Sequence, residues 1–156
     1  MEMERIAMQI VYSGALCLYV GYQLGQVACE ALRTIAINTA QSWCGNRFGK
    51  GLVRPNGSNW PVDRELSDLV IKNIREVGRR YNEVREDMKR TGSLLSRFED
   101  CGSVTAAQMQ AIGGVGPAAR ASGLARDIRS THPWGAYALI DERYAMEAKG
   151  FGDVMA

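Results

Sequence analysis

The densest concentration of groups that could do chemistry lies in residues 113–137, where charged side chains alternate with small ones. Arg120, Arg126, Asp127 and Arg129 stand there among glycine, alanine and serine. Small residues let a backbone or a cofactor approach closely, while buried arginines require carboxylate or carbonyl partners. Two interpretations follow, a cofactor site or an internal ion-pair network that fixes a loop, and the residue types favour the network.

The sequence GVGPAA at residues 114–119 has the superficial form of a dinucleotide-binding fingerprint. That fingerprint requires a preceding strand and a following helix whose first turn donates N–H groups to phosphate. Here a short helix is predicted before the motif, and Pro117 removes one of the donors. We therefore expect no nucleotide site in this segment.

No other set of residues indicates catalysis or metal binding. His132 is the only histidine, and the four cysteines contain no CxxC pair, whereas metal sites need clustered ligands. Glu99 and Asp100 are adjacent in sequence and do not face one another as a catalytic pair would. We predict no catalytic residue and no metal ligand in this chain. Reduced, structural cysteines in a cytoplasmic setting are expected at the following positions: Cys17, Cys29, Cys44 and Cys101.

Composition predicts an ordinary globular protein. Of the 156 residues, 46% are hydrophobic and 23% are charged, which is enough apolar material to bury a core. The net charge of +2 gives no reason to expect a nucleic acid partner. We predict a single domain over residues 1–156.

Residues 3–43 are predicted to form a helical hairpin or a broken long helix. Residues 6–29 carry no charge, which is close to the roughly 20 residues that span a bilayer. Polar side chains such as Gln9 and Ser13 recur through the stretch, so we interpret it as a helix buried inside a larger soluble assembly. Gly21 and Gly25 allow either a close helix approach or a break between two helices. Glu30, Arg33 and Asn38 mark the one wetter face of the second half.

Asp63 is predicted to begin the clearest helix, after a loop over residues 45–61 that is rich in glycine and proline. Helical spacing unites the following apolar side chains: Leu66, Leu69, Val70, Ile74, Val77, Tyr81, Val84 and Met88. The opposite face alternates positive and negative charges. That face is either a basic docking surface or a solvated face with ion pairs, and the alternation of sign favours ion pairs.

Two short helices are predicted at residues 93–100 and 105–111, the second beginning with a capping box formed by Thr105 and Gln108. A short strand is predicted at residues 136–140. The predicted fold class is therefore mainly α, a helical bundle with short 3-10 or helical turns and a small β element near the C-terminus.

Several motifs resemble those of one protein superfamily. The sequence GGVGPAARASGLARDIRSTHPWGAY at residues 113–137 resembles the RASG…D-x-R…P-aromatic-x-x-Y segment of the 49-kDa-type subunit of respiratory complex I. The same segment occurs in the large subunit of energy-converting [NiFe]-hydrogenases, including formate hydrogenlyase, toward which its His-Pro-Trp piece leans. Further motifs follow in the family's order: ERIA at 4–7, GNRF at 45–48, VRPNG at 53–57 and GDV at 152–154.

The resemblance implies the helical middle of such a large subunit, on the cytoplasmic side above a membrane arm. In these complexes the large subunit pairs with a small subunit that carries an iron–sulfur cluster, and their shared cavity holds quinone or the Ni–Fe centre. The chain lacks both Cys-x-x-Cys pairs that bind the Ni–Fe centre. It also lacks the N-terminal β region of the complex I branch. No cofactor is therefore expected in this chain alone.

Two substitutions depart from the family's pattern. Gln9 replaces a histidine and Tyr19 replaces an acidic residue, and both family residues serve proton or quinone chemistry. A polar network that supports the cavity without itself catalysing a reaction is expected from the following residues: Arg5, Arg47, Arg120, Ser122, Asp127 and Arg129. The leading hypothesis is an oxidoreductase subunit that transfers electrons only within its complex. The alternative is a divergent, non-catalytic structural or assembly module. A homo-oligomer is possible when the chain is isolated.

Overall fold

The computed structural model describes residues 1–139 of the chain. The chain divides into two compact units, Met1–Leu94 and Leu95–Ala156. The three long helices are α1 (Glu2–Tyr19), α2 (Gln23–Cys44) and α3 (Arg64–Arg90). Shorter helices follow, namely α4 (Gly92–Phe98), α5 (Ala106–Ala111), α6 (Gly116–Ala121) and α7 (Ile128–Thr131). The fold is mainly α, as predicted, while a single domain over residues 1–156 stays a prediction.

The predicted helical hairpin is confirmed. Of its two glycines, one forms the break between the helices and the other allows their close approach. Gly21 has a φ of +76° and forms the break between α1 and α2. Gly25 lies where the helices approach closely, because a Cβ atom there would be 2.9 Å from Cys17 Sγ. A Cβ atom on Gly14 would likewise lie 3.1 Å from the Cβ atom of Cys29. Small residues therefore face one another at both contacts of α1 with α2.

The second helix ends at Cys44, directly before the loop predicted from residue 45. Gly45 adopts the left-handed conformation, with φ of +69°, and its N–H donates to the carbonyl of Gln41 at 2.7 Å. The loop that follows contains one feature that the sequence did not predict. Strands β1 (Val53–Arg54) and β2 (Gly57–Ser58) pair antiparallel across a tight turn.

Helix α3 buries its apolar face in the first unit. The Asp63 carboxylate caps the helix by accepting from the Leu66 N–H at 2.7 Å. Val77 is fully buried, and the other predicted apolar positions are half-buried except Leu69, which is exposed. Val77 packs into a core that contains residues of all three long helices: Ile10, Cys29, Leu32 and Val77.

The charged face of α3 forms ion pairs, as its alternating signs indicated. Arg79 contacts the carboxylates of Glu76 at 2.8 Å and Glu83 at 2.5 Å, one turn to either side. Arg80 contacts Glu76 at 2.6 Å. The hydrogen bond from Arg79, and to a smaller extent the one from Arg80, lowers the pKa of Glu76 to about 2. All of these side chains are well exposed, so the pairs contribute little to stability.

The second unit is more helical than the sequence indicated. Residues 116–121 and 128–131 form helical turns, at positions where no particular helix was predicted. Pro117 stands in the first turn of α6, where a missing N–H costs nothing, and Asp127 caps α7. The capping box of Thr105 and Gln108 at α5 is confirmed.

The strand predicted from residue 136 is wrong. Gly135–Ala138 forms a 3-10 helix, in which the Tyr137 N–H donates to the carbonyl of Trp134 at 3.2 Å. The Tyr137 ring packs edge-on against Trp134 at 4.9 Å between ring centroids, a contact one 3-10 turn apart. Residue 140 and the GDV motif at 152–154 lie outside the described residues. None of the helices in residues 1–139 combines the length and apolarity that crossing a bilayer requires.

Candidate functional site

Three of the six predicted network residues meet in one cluster in the second unit. The Asp127 carboxylate accepts from the Arg129 Nε at 2.9 Å and Nη2 at 2.5 Å. Arg120 reaches the same carboxylate from α6, with 3.8 Å between its Nη1 and Oδ2 of Asp127. The side chains of Arg120, Asp127 and Arg129 are 13%, 11% and 8% exposed, so the cluster is largely desolvated.

The carboxylate at the centre of this cluster is held ionised. The side-chain hydrogen bond from Arg129 lowers the pKa of Asp127 to about 2, with further contributions from the Arg129 backbone N–H and from the charge of Arg120. Asp127 also caps α7 by accepting from the Arg129 N–H at 2.9 Å. One carboxylate therefore fixes the start of a helix and gathers two guanidinium groups.

Aromatic packing extends the cluster on one side. The Arg129 guanidinium lies over the Tyr137 ring, 6.0 Å from its centroid. Tyr137 in turn packs against Trp134. The motif from Arg120 to Tyr137 is thus one connected structure, in which charge, helix cap and aromatic rings fix each other's positions.

The glycine-rich sequence before the cluster has a steric role. A Cβ atom on Gly114 would lie 2.0 Å from Sδ and 2.8 Å from Cγ of Met109, which is itself buried. Helix α5 precedes the GVGPAA sequence, and α6 is only six residues long. The glycine-rich turn therefore joins two helices, as the sequence indicated, whereas in a dinucleotide site such a turn joins a strand to a helix.

The remaining predicted network residues make other contacts. Ser122 is buried at the end of α6, where its N–H donates to the carbonyl of Ala118 at 3.1 Å. Arg5 pairs with Glu2 one turn away at 2.5 Å. Arg47 is exposed and stacks on Phe48, 5.2 Å from the ring centroid. Arg5 and Arg47 belong to the first unit, and their role as supports of a cavity stays a prediction.

The histidine and the cysteines are scattered through both units. His132 is exposed, with its Nδ1 atom 3.1 Å from the Thr131 hydroxyl. Cys17, Cys29 and Cys44 are buried free thiols and Cys101 is exposed. Within residues 1–139, no group of three or more histidine, cysteine or acidic side chains is placed to hold a metal ion.

A cavity in the first unit contains a residue that the sequence did not single out as functional. The cavity has a volume of about 170 Å³, and Arg33 of α2 lines it together with Arg47 and Glu4. The only signal in the sequence was the position of Arg33 on the wetter face of an otherwise apolar helix. That signal marks exposure to solvent, and it does not show that the loop at 47–53 folds over the same face.

Most of the chain is similar to known proteins. Residues 20–156 match the model of a family described as the 49 kDa subunit of respiratory-chain NADH dehydrogenase. An NADH-quinone oxidoreductase subunit of Flavobacterium johnsoniae is 26% identical over 141 residues, which cover 90% of this chain and 34% of the relative. The NADH-ubiquinone oxidoreductase 49 kDa subunit of Reclinomonas americana is 27% identical over 106 residues, or 68% of this chain and 27% of the relative.

A further relative belongs to a different kind of enzyme. Formate hydrogenlyase subunit 5 of Escherichia coli is 24% identical over 140 residues, which cover 90% of this chain and 25% of the relative. The chain spans well under half the length of the curated relatives it matches, with 34%, 27% and 25% of these three covered.

Proposed function

Because the chain belongs to the family of the 49 kDa subunit of respiratory-chain NADH dehydrogenase, as its motifs predicted, we propose that it is part of the large subunit of a membrane-associated oxidoreductase complex. Within that complex it takes part in electron transfer to quinone or to protons, and it is inactive alone. The observation that carries this proposal is the family match over residues 20–156. The complex is proposed to lie on the cytoplasmic face of the membrane.

An uncovered apolar surface on α1 supports a role inside a complex. Met8, Tyr12, Leu16 and Tyr19, which we call the α1 stripe, recur at helical spacing and are 39%, 58%, 39% and 82% exposed. Neighbouring exposed apolar side chains at helical spacing mark an interaction surface. The partner proposed for the α1 stripe is the small subunit that carries the iron–sulfur cluster. Membrane subunits complete the proposed complex.

The residues present do not fit the Ni–Fe centre of the hydrogenase branch. That centre needs four thiolates from two Cys-x-x-Cys pairs, and no such pair exists in the sequence. Burial, together with the charge of Cys17, raises the pKa of Cys29 to about 11, which opposes formation of a thiolate. No step of the proposed function therefore runs through a metal on this chain. Its own residues supply structure, with the Asp127 cluster fixing the conformation of the segment that carries the family motif.

A second candidate function is a non-catalytic structural or assembly module with the same bundle. Two substitutions favour it, since Gln9 and Tyr19 replace the histidine and acidic residue that the family resemblance associates with proton or quinone chemistry. Gln9 is half-buried and Tyr19 is 82% exposed. The amide of Gln9 does not titrate, so it cannot act as the general acid or base that an imidazole provides.

The proposal is tested by recovering the chain with its partners. An affinity-tagged chain is purified from the cells that produce it, under gentle extraction of the membranes. We expect it to co-purify with a subunit that shows the visible absorbance of an iron–sulfur cluster. Leu16→Lys, in the α1 stripe, is expected to reduce that recovery, whereas Asn82→Lys, at an exposed position of α3, should leave it unchanged. Purification of the tagged chain free of any iron–sulfur protein would contradict the proposal.

A further inference from the structure

The cavity of about 170 Å³ in the first unit is lined by both apolar and charged residues. It lies between the first turns of α1, the second half of α2 and the loop at residues 47–53. Its apolar lining consists of small side chains, which leave the space open, and larger ones around them: Ala7, Ala36 and Ala40, then Ile37, Phe48 and Leu52. An apolar cavity of roughly 150 Å³ accommodates a molecule the size of benzene. The space therefore suits one short apolar group.

Two guanidinium groups border this space without an acidic partner. Within residues 1–139, neither Arg33 nor Arg47 has a carboxylate within 4.0 Å, and the nearby Glu4 pairs with neither of them. The Arg33 Nε atom is buried and has no hydrogen-bond partner in the described part of the chain. A buried N–H group without a partner is costly, and a guanidinium presents paired donors that match a carboxylate.

The charge of the lining side chains indicates the sign of the charge that a ligand would carry. Among the side chains of the lining, Arg33, Arg47 and Glu4 together give one excess positive charge. An uncharged apolar ligand would leave the Arg33 Nε unpaired and partly desolvate two cations. An anionic ligand with an apolar body would satisfy both features of the cavity.

We propose that this cavity binds a carboxylate attached to a short apolar body, with the apolar part against Ala7, Ala36 and Ala40 and the carboxylate at Arg33 and Arg47. This chemistry is found in a free short-chain acyl carboxylate and in an acidic side chain beside an apolar residue of a polypeptide. The site belongs to the first unit, whereas the Asp127 cluster belongs to the second.

The test follows hexanoate binding to the 156-residue chain by proton–nitrogen correlation NMR, which detects the Arg33 Nε–H directly. Hexanol carries a similar tail without charge, and hexylamine carries the opposite charge. We expect saturable shifts of the Arg33 Nε–H signal with hexanoate at an affinity at least tenfold above that for either control ligand. The capped dipeptide acetyl-Leu-Glu-amide distinguishes the sources, since tighter binding than hexanoate assigns the site to a polypeptide and weaker binding to a free ligand.

Three variants test the cavity as a binding site separately from the proposed function. Arg33→Gln should weaken hexanoate binding about tenfold or more, and Glu4→Gln should strengthen it several-fold by removing the repelling carboxylate. Arg75→Gln, at an exposed position of α3, should change nothing, and the melting temperature of each variant shows that it is folded. Equal binding of hexanoate and hexanol, or unchanged binding in a folded Arg33→Gln variant, would overturn the inference.

Discussion

Asp127 and Arg129 lie two residues apart and are joined by both backbone and side-chain hydrogen bonds. The Oδ1 atom of Asp127 accepts from the Arg129 N–H and from its Nε, each at 2.9 Å. The Oδ2 atom accepts from Nη2 of the same residue at 2.5 Å and also faces Arg120. A single carboxylate thus caps α7 and compensates buried positive charge, so that removing it takes this partner from two largely buried guanidinium groups.

Arg120→Ala is expected to lower the free energy of unfolding by about 2 kcal/mol, because it removes a largely buried charge from this cluster. Arg126→Ala is the matched control, since Arg126 is exposed, and a surface substitution changes stability by less than about 0.5 kcal/mol. Urea denaturation at neutral pH measures both. An unfolding midpoint for Arg120→Ala equal to that of the unmodified chain would show that Arg120 contributes nothing to the cluster.

Asp127 should make stability depend on pH in acid. Its pKa falls from 3.8 to about 2 on folding, chiefly through the side-chain hydrogen bond from Arg129. A lowered carboxyl pKa gives stability that is complete above the unfolded value and is lost as pH falls through the folded value. We expect Asp127→Asn to cost about 2 kcal/mol at pH near 6 and about half of that near pH 3. A cost that stays constant with pH would contradict this coupling.

Glu76 separates this effect from surface electrostatics. Its pKa is also lowered to about 2, by Arg79 and Arg80, but all three side chains are exposed. At about 1 M salt the screening length is roughly 3 Å, so the contribution of Glu76 should largely vanish. The Asp127 contribution should persist in the same salt, because its partners are largely buried. Comparing Glu76→Gln with Asp127→Asn at low and high salt measures the difference.

Identical substitutions at two glycines are expected to have opposite effects. Gly114→Ala places a methyl group against Met109 Sδ, where the Cβ atom would lie at 2.0 Å, and should destabilise the chain by about 1–3 kcal/mol. Gly78→Ala lies within α3, with no atom within 4 Å of the added carbon, and should stabilise it by about 0.5–1 kcal/mol. Thermal unfolding followed by circular dichroism measures both changes. A destabilising Gly78→Ala or a neutral Gly114→Ala would contradict the packing described.

The α1 stripe predicts self-association of the isolated chain. Four exposed apolar side chains on one helix face leave a surface that a second copy can cover. Light scattering should therefore show a mass that rises with concentration, and Leu16→Lys should shift the equilibrium toward monomer. A strictly monomeric chain at high concentration would count against the stripe as an interaction surface.

Local signals in the sequence predicted most of the helices. Asp63, the capping box of Thr105 and Gln108, and the terminating Gly45 each act within a few residues, so helix bounds could be inferred from them. The 3-10 helix at Gly135–Ala138 was predicted as a strand because the aromatic and small residues there suit either conformation. Its hydrogen bonds and the Trp134–Tyr137 contact decided the outcome.

The candidate site could be predicted only where its residues are close in sequence. Arg120, Asp127 and Arg129 lie within ten residues, and the cluster they form was expected. The cavity at Arg33 depends on a loop that follows α2 and folds back toward α1, and no local pattern encodes that approach. Leu69 is exposed although it has helical spacing with the buried Val77.

The most direct test of the central claim is the electron-transfer turnover of the native complex, normalised to the amount of assembled complex. It is measured in cells that carry either the unmodified chain or the variant Gln9→His, which leaves the α1 stripe unchanged. If the chain takes part in electron transfer, restoring the imidazole on α1 should raise quinone reduction or hydrogen evolution by about tenfold or more. Equal turnover by equal amounts of complex would contradict participation and would favour the non-catalytic module.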